Sequence, residues 1–426
     1  MNRKQLEQFA KLLNDAVTGV RPPERGETLF TPNFRTHNKV SYWAPEESDR
    51  SIQKVVLGFE KKFGDKYTLD EIHRDVRELF AVKLKEPDHD LMNDLDGLAK
   101  KYDSYNTQQV LVRRIRGVEL SQCSFKFGRV LLVPIGEQLN SIVTELTEKI
   151  FSEGKLSKEE REEQKKRFLD IVSDEFEGVT GKFQINDSVA CVAEYTATPA
   201  RALERSQEEI EFIIDLLRYF GVATQSRDVH VDFSEAYPSK NSVAFVTSGR
   251  AVSLQPTAGK DDHATVRLGL DAMDDLHYWG VFQLADYSDS GEQHDLKKAI
   301  ARAVHWFSLA ARQQDKANKI LLYITALESL FPSYGREKVS DCCAFLLGVD
   351  AESRMQIAEL IKEFYSQRNP IAHGGSADRV EGYRSLRRLV LHAIWASLQQ
   401  TEEHKSPRNL AQSFDELKFS FPSDVK

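Results

Sequence analysis

NKILLYITALESLF, residues 318–331, and FYSQRNPIAHGG, residues 364–375, sit inside a stretch that reads as helix almost throughout. Apolar residues recur there at three- and four-residue spacings, the period of one helical face. Working outward, the pattern predicts helices over 295–313, 316–331, 337–347, 353–373 and 378–402. Pro332, Gly335, Gly348 and the Gly374-Gly375 pair separate them, because proline removes a backbone donor and glycine takes helix-ending conformations cheaply. Five such helices with short connections make a compact all-α bundle over residues 291–405.

Upstream the character differs. VLVRRIRGVEL (110–120) and FKFGRVLLVPI (125–135) read as strands, the second with a glycine turn. The segment LNSIVTELTEKIF reads as a helix, and a charge-dense helix follows, opened by Ser157 and Glu160 at capping-box spacing. KFQINDSVACVAEYTA (182–197) is again strand-like. The clearest helix spans 199–220, with Thr198 as N-cap, Pro199 in the first turn and Gly221 as the residue just past its end. Its predicted buried stripe is Leu203, Ile210, Ile214, Leu217 and Phe220. Short strand patterns at DVHVDF, SVAFVTSG, AVSLQ and ATVRLGL complete a mixed α/β region over 105–290, and DYSDSGEQHD (286–295) reads as a linker. Residues 1–104 are mostly helical, with an ordered loop at 24–50 anchored by Phe30, Phe34, Tyr42 and Trp43, and residues 406–426 form a tail in which Leu417, Phe419 and Phe421 are the docking candidates. The expected fold class is α+β multidomain: a mixed α/β N-terminal region followed by an all-α bundle.

Hydrophobic residues make up 41% and charged residues 29% of the 426 residues, which places the chain among ordinary soluble proteins able to bury a core. No apolar run is long enough to span a bilayer, and MNRKQLEQFAKLL reads as an amphipathic helix, not a secretory signal, so a cytoplasmic location without membrane contact is expected. The net charge of −8 argues against a broad footprint for duplex DNA while leaving room for a local basic groove. Cys123, Cys191, Cys342 and Cys343 form no CxxC and no disulfide framework, so buried reduced thiols are expected, with no metal and no cofactor. TSGRAVS (247–253) has no phosphate-loop pattern, and no GxSxG elbow marks an esterase.

The chemistry concentrates at residues 364–375. Arg368 and His373 stand five apart, with Asn369 beside the arginine. Pro370 restricts the residue before it, so a kink or restart is expected there. A distorted helix end closed by two glycines would bring polar side chains together at a surface. The same spacing recurs in Arg387 and His392, but inside the amphipathic pattern SLRRLVLHAIWASL, where a surface arginine and a helix histidine are the expected reading. His305, beside Trp306 and Phe307, reads as a core or interface histidine.

The segments NKILLYITALESLF and RNPIAH, the latter matching an RNxxxH motif through Arg368, Asn369 and His373, resemble the HEPN domain family, in its Apea-like group. GVELSQCSFKFGRVLL followed by ARALERSQEEIEFIIDLLRYFG is similar in layout to that group's usual N-terminal companion region. The resemblance covers 110–400 and does not reach 1–105. It implies a metal-independent endoribonuclease in which two protomers pack their motif helices into one composite site. It also implies a restrained effector in a prokaryotic defence or toxin-like system. RNA carries its own nucleophile, the 2′-OH. A histidine with a reference pKa of about 6.5 can take that proton near neutral pH, and a second can protonate the leaving 5′-oxygen. Arginine offers a planar cationic fork to the phosphate. The expected product is a 2′,3′-cyclic phosphate. Arg368 and His373 are thus the catalytic candidates, with Asn369 holding the arginine or the phosphate. Glu328 is a supporting candidate, and Tyr365 is a packing residue with a chance of base stacking. Arg379, Arg384, Arg387 and Arg388 are candidates for an RNA backbone, with a solvated helix face as the equal alternative. The expected partners are RNA, a second copy of the chain, and an unidentified trigger or ligand for the N-terminal region. The competing reading is a non-catalytic dimerisation or interaction protein.

Overall fold

The computed structural model describes residues 1–18, 20–22, 24, 34–37, 40–121, 123–152, 157–160, 162–163, 166–167, 188–233, 243–247, 250–254, 265–287, 295–332, 334–372 and 382–419. Within them the chain is α+β, mostly helical with a small sheet, and divides into two compact units. One holds residues 1–111 with 194–207; the other holds 112–193 with 208–426.

The first unit packs four helices, α1 (Arg3–Val17), α2 (Glu46–Phe63), α3 (Leu69–Lys85) and α4 (Leu91–Asp103), with the hairpin β1 (Phe34–His37) and β2 (Val40–Trp43). Capping boxes start two of the helices. Asn2 and Gln5 exchange bonds at α1, and Thr68 and Glu71 do so at α3, satisfying amide donors that have no partner within the helix. Leu13, Phe59, Ile72, Phe80, Leu95 and Tyr102 form the core, with Tyr67 stacked on Tyr102 at 4.1 Å. The segment read as an ordered loop contains the hairpin; Tyr42 is buried, and Trp43 exchanges backbone bonds with Arg21.

The second unit carries strands β3 (Gln108–Arg116, entering from the first unit), β4 (Val118–Leu120), β5 (Phe125–Phe127), β6 (Val130–Pro134), β7 (Ser188–Thr196) and β8 (Asp232–Phe233). The sheet runs β5-β6-β7-β3-β8. β5 and β6 form the expected hairpin around Gly128, with Phe127 opposite Val130. Strands β9 (Val243–Thr247) and β10 (Arg250–Leu254) pair antiparallel, and β11 (Val266–Leu268) runs parallel to β4. α5 (Glu137–Ser152) follows β6, and the Ser157–Glu160 capping box is present in both directions.

α6 spans Pro199–Gln225. Thr198 caps it as read from sequence, accepting from the Arg201 amide at 3.3 Å while its hydroxyl donates to Glu71. Two expectations fail here. Gly221 does not end the helix. It lies inside it, and a β-carbon there would sit 2.7 Å from the Val229 methyls and 2.9 Å from Val266. Close approach, not left-handed backbone, is what the position requires. Leu203 is 56% exposed and off the buried stripe, whereas Ile210, Ile214, Leu217 and Phe220 are buried.

Short helices α7 (Met273–Tyr278) and α8 (Val281–Tyr287) lead to the bundle. It comprises α9 (Asp295–Arg312), α10 (Lys316–Leu330), α11 (Arg336–Leu347), α12 (Ala351–Ala372), α13 (Tyr383–Gln399) and α14 (Pro407–Phe419). Its core includes Phe307 against Tyr323 at 5.3 Å, with Leu327, Phe364 and Ile394. α12 is continuous through Pro370, so the expected break does not occur; the Gly374-Gly375 pair lies outside the described residues. The segment read as a tail forms α14, burying Leu410 and Ala411 and stacking Phe414 on Phe345, whereas Leu417 is 49% exposed; Phe421 lies outside the described residues. Residues 105–290 and 291–405, read as separate domains, fall largely within one compact unit. No helix among the described residues is long and apolar enough to cross a membrane.

Gly117 joins β3 to β4 with φ +84°, and a β-carbon there would lie 1.7 Å from the His230 carbonyl oxygen. Gly117→Ala is expected to cost about 2 kcal/mol or more, from left-handed strain plus the clash. The check is the urea unfolding midpoint of the full chain; an unchanged midpoint would show that this approach is not constrained.

Candidate functional site

α12 places the motif. Asp350 starts the helix by accepting from the Ser353 amide at 2.7 Å, while Ser353 Oγ accepts from the Asp350 amide at 3.1 Å. The Ser353 amide and the Ser353 hydroxyl, both donating to the Asp350 carboxyl, hold it below its ordinary pKa. Arg354 donates to the Gly348 carbonyl at 3.0 Å, closing the α11–α12 turn. The helix has 22 residues, and Arg368 stands four residues before its end.

Arg368 lies 3.6 Å from Glu328 of α10, guanidinium nitrogen to carboxylate oxygen. Both side chains are about one third exposed (34% and 33%). The structure thus brings the supporting candidate to the motif arginine. Tyr365, one turn earlier, is buried as packing, and burial, aided by the Glu328 charge, raises its phenol pKa. Asn369 lies in the helix, and its side chain is not among those described. His373 and Arg379 lie outside the described residues.

The four-arginine reading needs one correction. Arg387 is not on a solvated face: its guanidinium is buried, 2.8 Å from Asp228 and 2.5 Å from the Ser226 carbonyl. Asp228 also pairs with the buried Lys319. Arg387 is therefore structural and withdrawn as an RNA contact. Arg384 and Arg388 are exposed. His392 is pushed below the ordinary histidine pKa, first by burial and then by the Arg388 charge.

A second polar cluster was missed in the sequence. Asp215 and Arg218 on α6 are buried, as are Ser308 on α9 and Asp232 on β8. Arg218 donates to Val231 O at 2.8 and 2.5 Å and to Ser308 Oγ at 3.0 Å, and lies 3.3 Å from Asp232. Ser308 donates to Asp215 at 2.5 Å. His305 lies 2.7 Å from Asp215 with half of its side chain exposed, so it is a rim residue of this network, not a core histidine. Arg312 closes the other end on Asp232 at 2.9 Å. Residues 90 apart in sequence carry no local signal of such a pairing.

The four cysteines read as buried thiols are free; Cys191, Cys342 and Cys343 are buried, whereas Cys123 is only half-buried, and burial raises Cys342 to about 12. Among the described residues no His, Cys, Asp and Glu group gathers in a metal-holding arrangement. No protein-family model matches the chain, and neither a characterised protein nor a solved structure matches it.

The hydrogen bond that the His305 ring donates to Asp215 raises the His305 pKa above its ordinary value. A raised folded-state pKa stabilises fully below the unfolded value of about 6.5, and the contribution disappears as pH rises through the folded value. Melting temperature should therefore fall on going upward from pH 6, and His305→Gln should flatten that slope. A slope unchanged by the substitution would remove the pairing. Arg218→Met leaves buried carboxylates uncompensated and should cost about 3–5 kcal/mol, read from denaturant unfolding; a loss below about 1 kcal/mol would contradict the network.

Proposed function

We propose that the chain is a metal-independent endoribonuclease of HEPN type, with Arg368 and His373 as its reacting pair. The observation that carries the reading is Arg368, held at the end of α12 by Glu328 while remaining partly exposed, on the arginine of the RNxxxH segment. Exposed ion pairs contribute about 0–1 kcal/mol, so a phosphate oxygen can replace the Glu328 carboxylate at little cost. Glu328 then acts as a placeholder that orients the guanidinium before substrate arrives.

In this reading the imidazole of His373 takes the proton from the ribose 2′-OH, and the resulting alkoxide attacks the adjacent phosphorus. Arg368 donates to the phosphate oxygens that gain charge. Asn369 fixes the guanidinium or the phosphate. The 5′-oxygen leaves with a proton from a second imidazole, supplied by the partner copy in a composite site. The products are a 2′,3′-cyclic phosphate and a 5′-hydroxyl. A prokaryotic defence or toxin-like role follows from the resemblance, with the remaining regions of the chain restraining the cut until a trigger arrives.

Purified full-length protein should cleave structured RNA in EDTA, and Arg368→Ala and His373→Ala should each lower the rate by about 100-fold or more. Both variants should also relieve growth inhibition on expression. Loss of wild-type cleavage in EDTA, or unchanged activity in both variants, would sink the reading. Light scattering should show a dimer; a monomer that retains full activity would remove the composite site. A dimer that binds no RNA and inhibits no growth would favour the non-catalytic interaction protein.

A further inference from the structure

Arg384, Arg388 and His392 stand four residues apart on one face of α13, a row about 12 Å long that carries two guanidinium charges. They line two neighbouring cavities. One, of about 600 Å³, is walled by the half-buried aliphatics Leu346 and Leu347 of α11, Ile357 and Leu360 of α12, and by Trp395. The other, of about 330 Å³, is floored by Arg387 and walled by Trp279 and Ser226. These volumes lie in the range that holds small organic ligands.

The walls are built, not incidental. Trp395 donates to the Tyr278 carbonyl at 2.7 Å and stacks on the Tyr278 ring at 5.4 Å, which fixes the indole. Trp279 packs against His392 at 5.8 Å. Arg387 is locked by Asp228 and the Ser226 carbonyl. Ser226 holds that carbonyl in place at φ +55°, a strained conformation for a residue with a side chain. Arg388 has no carboxylate partner among the described residues, and Arg384 bonds only the Tyr383 hydroxyl there, at 3.4 Å. In a chain of net charge −8, a cleft edged by one sign of charge concentrates anions.

We propose that this cleft binds a small organic phosphate with an apolar or aromatic body, its phosphate on Arg384 and Arg388 and its body against Trp395 and the α11–α12 aliphatics. Arginine forks match phosphate oxygens in pairs, and the aliphatic wall gains from covering an apolar group. From sequence these two arginines were candidates for an RNA backbone or for a solvated helix face; the apolar wall beside them suits a ligand that carries both a phosphate and an apolar body. The inference does not rest on the RNA-cleavage reading, since it concerns binding alone.

The test is calorimetric titration of the full-length protein with phenyl phosphate, inorganic phosphate and phenol. Phenyl phosphate should bind at least about tenfold more tightly than either fragment, because only it fills both lobes. Arg388→Gln and Ile357→Asp should each weaken it by about tenfold or more, with Arg384→Gln as a second charge variant and Arg3→Gln, in the other compact unit, as the unchanged control. Circular dichroism confirms that each variant is folded. Inorganic phosphate binding as tightly as phenyl phosphate would overturn the proposal, as would insensitivity to both arginine variants. Absence of phenyl phosphate binding, with a short oligouridylate bound in an Arg388-dependent way, would assign the row to RNA and also overturn it.

Discussion

A buried guanidinium, Arg218, holds the second unit together. It joins α6 to Ser308 of α9, to the Val231 carbonyl and to Asp232 of β8, so three elements share one charged centre. Placing a cation there costs several kcal/mol unless it is paired and its donors are used. Asp215, Asp232, Ser308 and Val231 meet that demand. The helices of the bundle consequently cannot be separated from the strand-bearing region without exposing unmatched charges. This ties the described bundle helices and strands together within one compact unit.

Local chemistry was legible in the sequence, and distant approach was not. Thr198, Ser157 with Glu160, and the Gly128 hairpin act within a few residues, and each was readable. Gly221 was misread because its constraint comes from Val229 and Val266, which meet it only in the folded chain. Arg387 was misread as solvated because Asp228 lies 159 residues away. Leu203 follows the apolar spacing of α6 yet stays exposed, since the spacing marks a face and not where that face stops being covered. Pro370 removes one helical hydrogen bond near the end of α12, where the missing bond is least costly, and the helix passes through it.

The candidate site divides along the same line. Its motif was visible as text, and the reach of Glu328 to Arg368 was open from sequence because α10 and α12 belong to one bundle of short connections. The Asp215–His305 pair depends on α6 meeting α9, and the cleft beside Arg388 depends on α6 and α13 meeting around Trp279, which no periodicity encodes. Two arginines of the same bundle illustrate the contrast. Arg387 is bound by a buried carboxylate and a carbonyl and serves the fold. Among the described residues Arg368 pairs with one carboxylate, Glu328 at 3.6 Å, and both side chains are about one third exposed. An exchangeable guanidinium is what binding a mobile phosphate demands, since a cation already satisfied by several short bonds gains little from a new anion.

The proposed nucleophile is the ribose 2′-hydroxyl of RNA, positioned against a phosphate that Arg368 receives. The most direct measurement is cleavage of a defined RNA in which the single nucleotide 5′ to a mapped cut carries a 2′-deoxyribose, with end-group analysis of the unmodified control. The account predicts that the cut at that bond disappears and that the control yields a 2′,3′-cyclic phosphate. Cleavage persisting at the deoxy position, or a 3′-hydroxyl product, would contradict it.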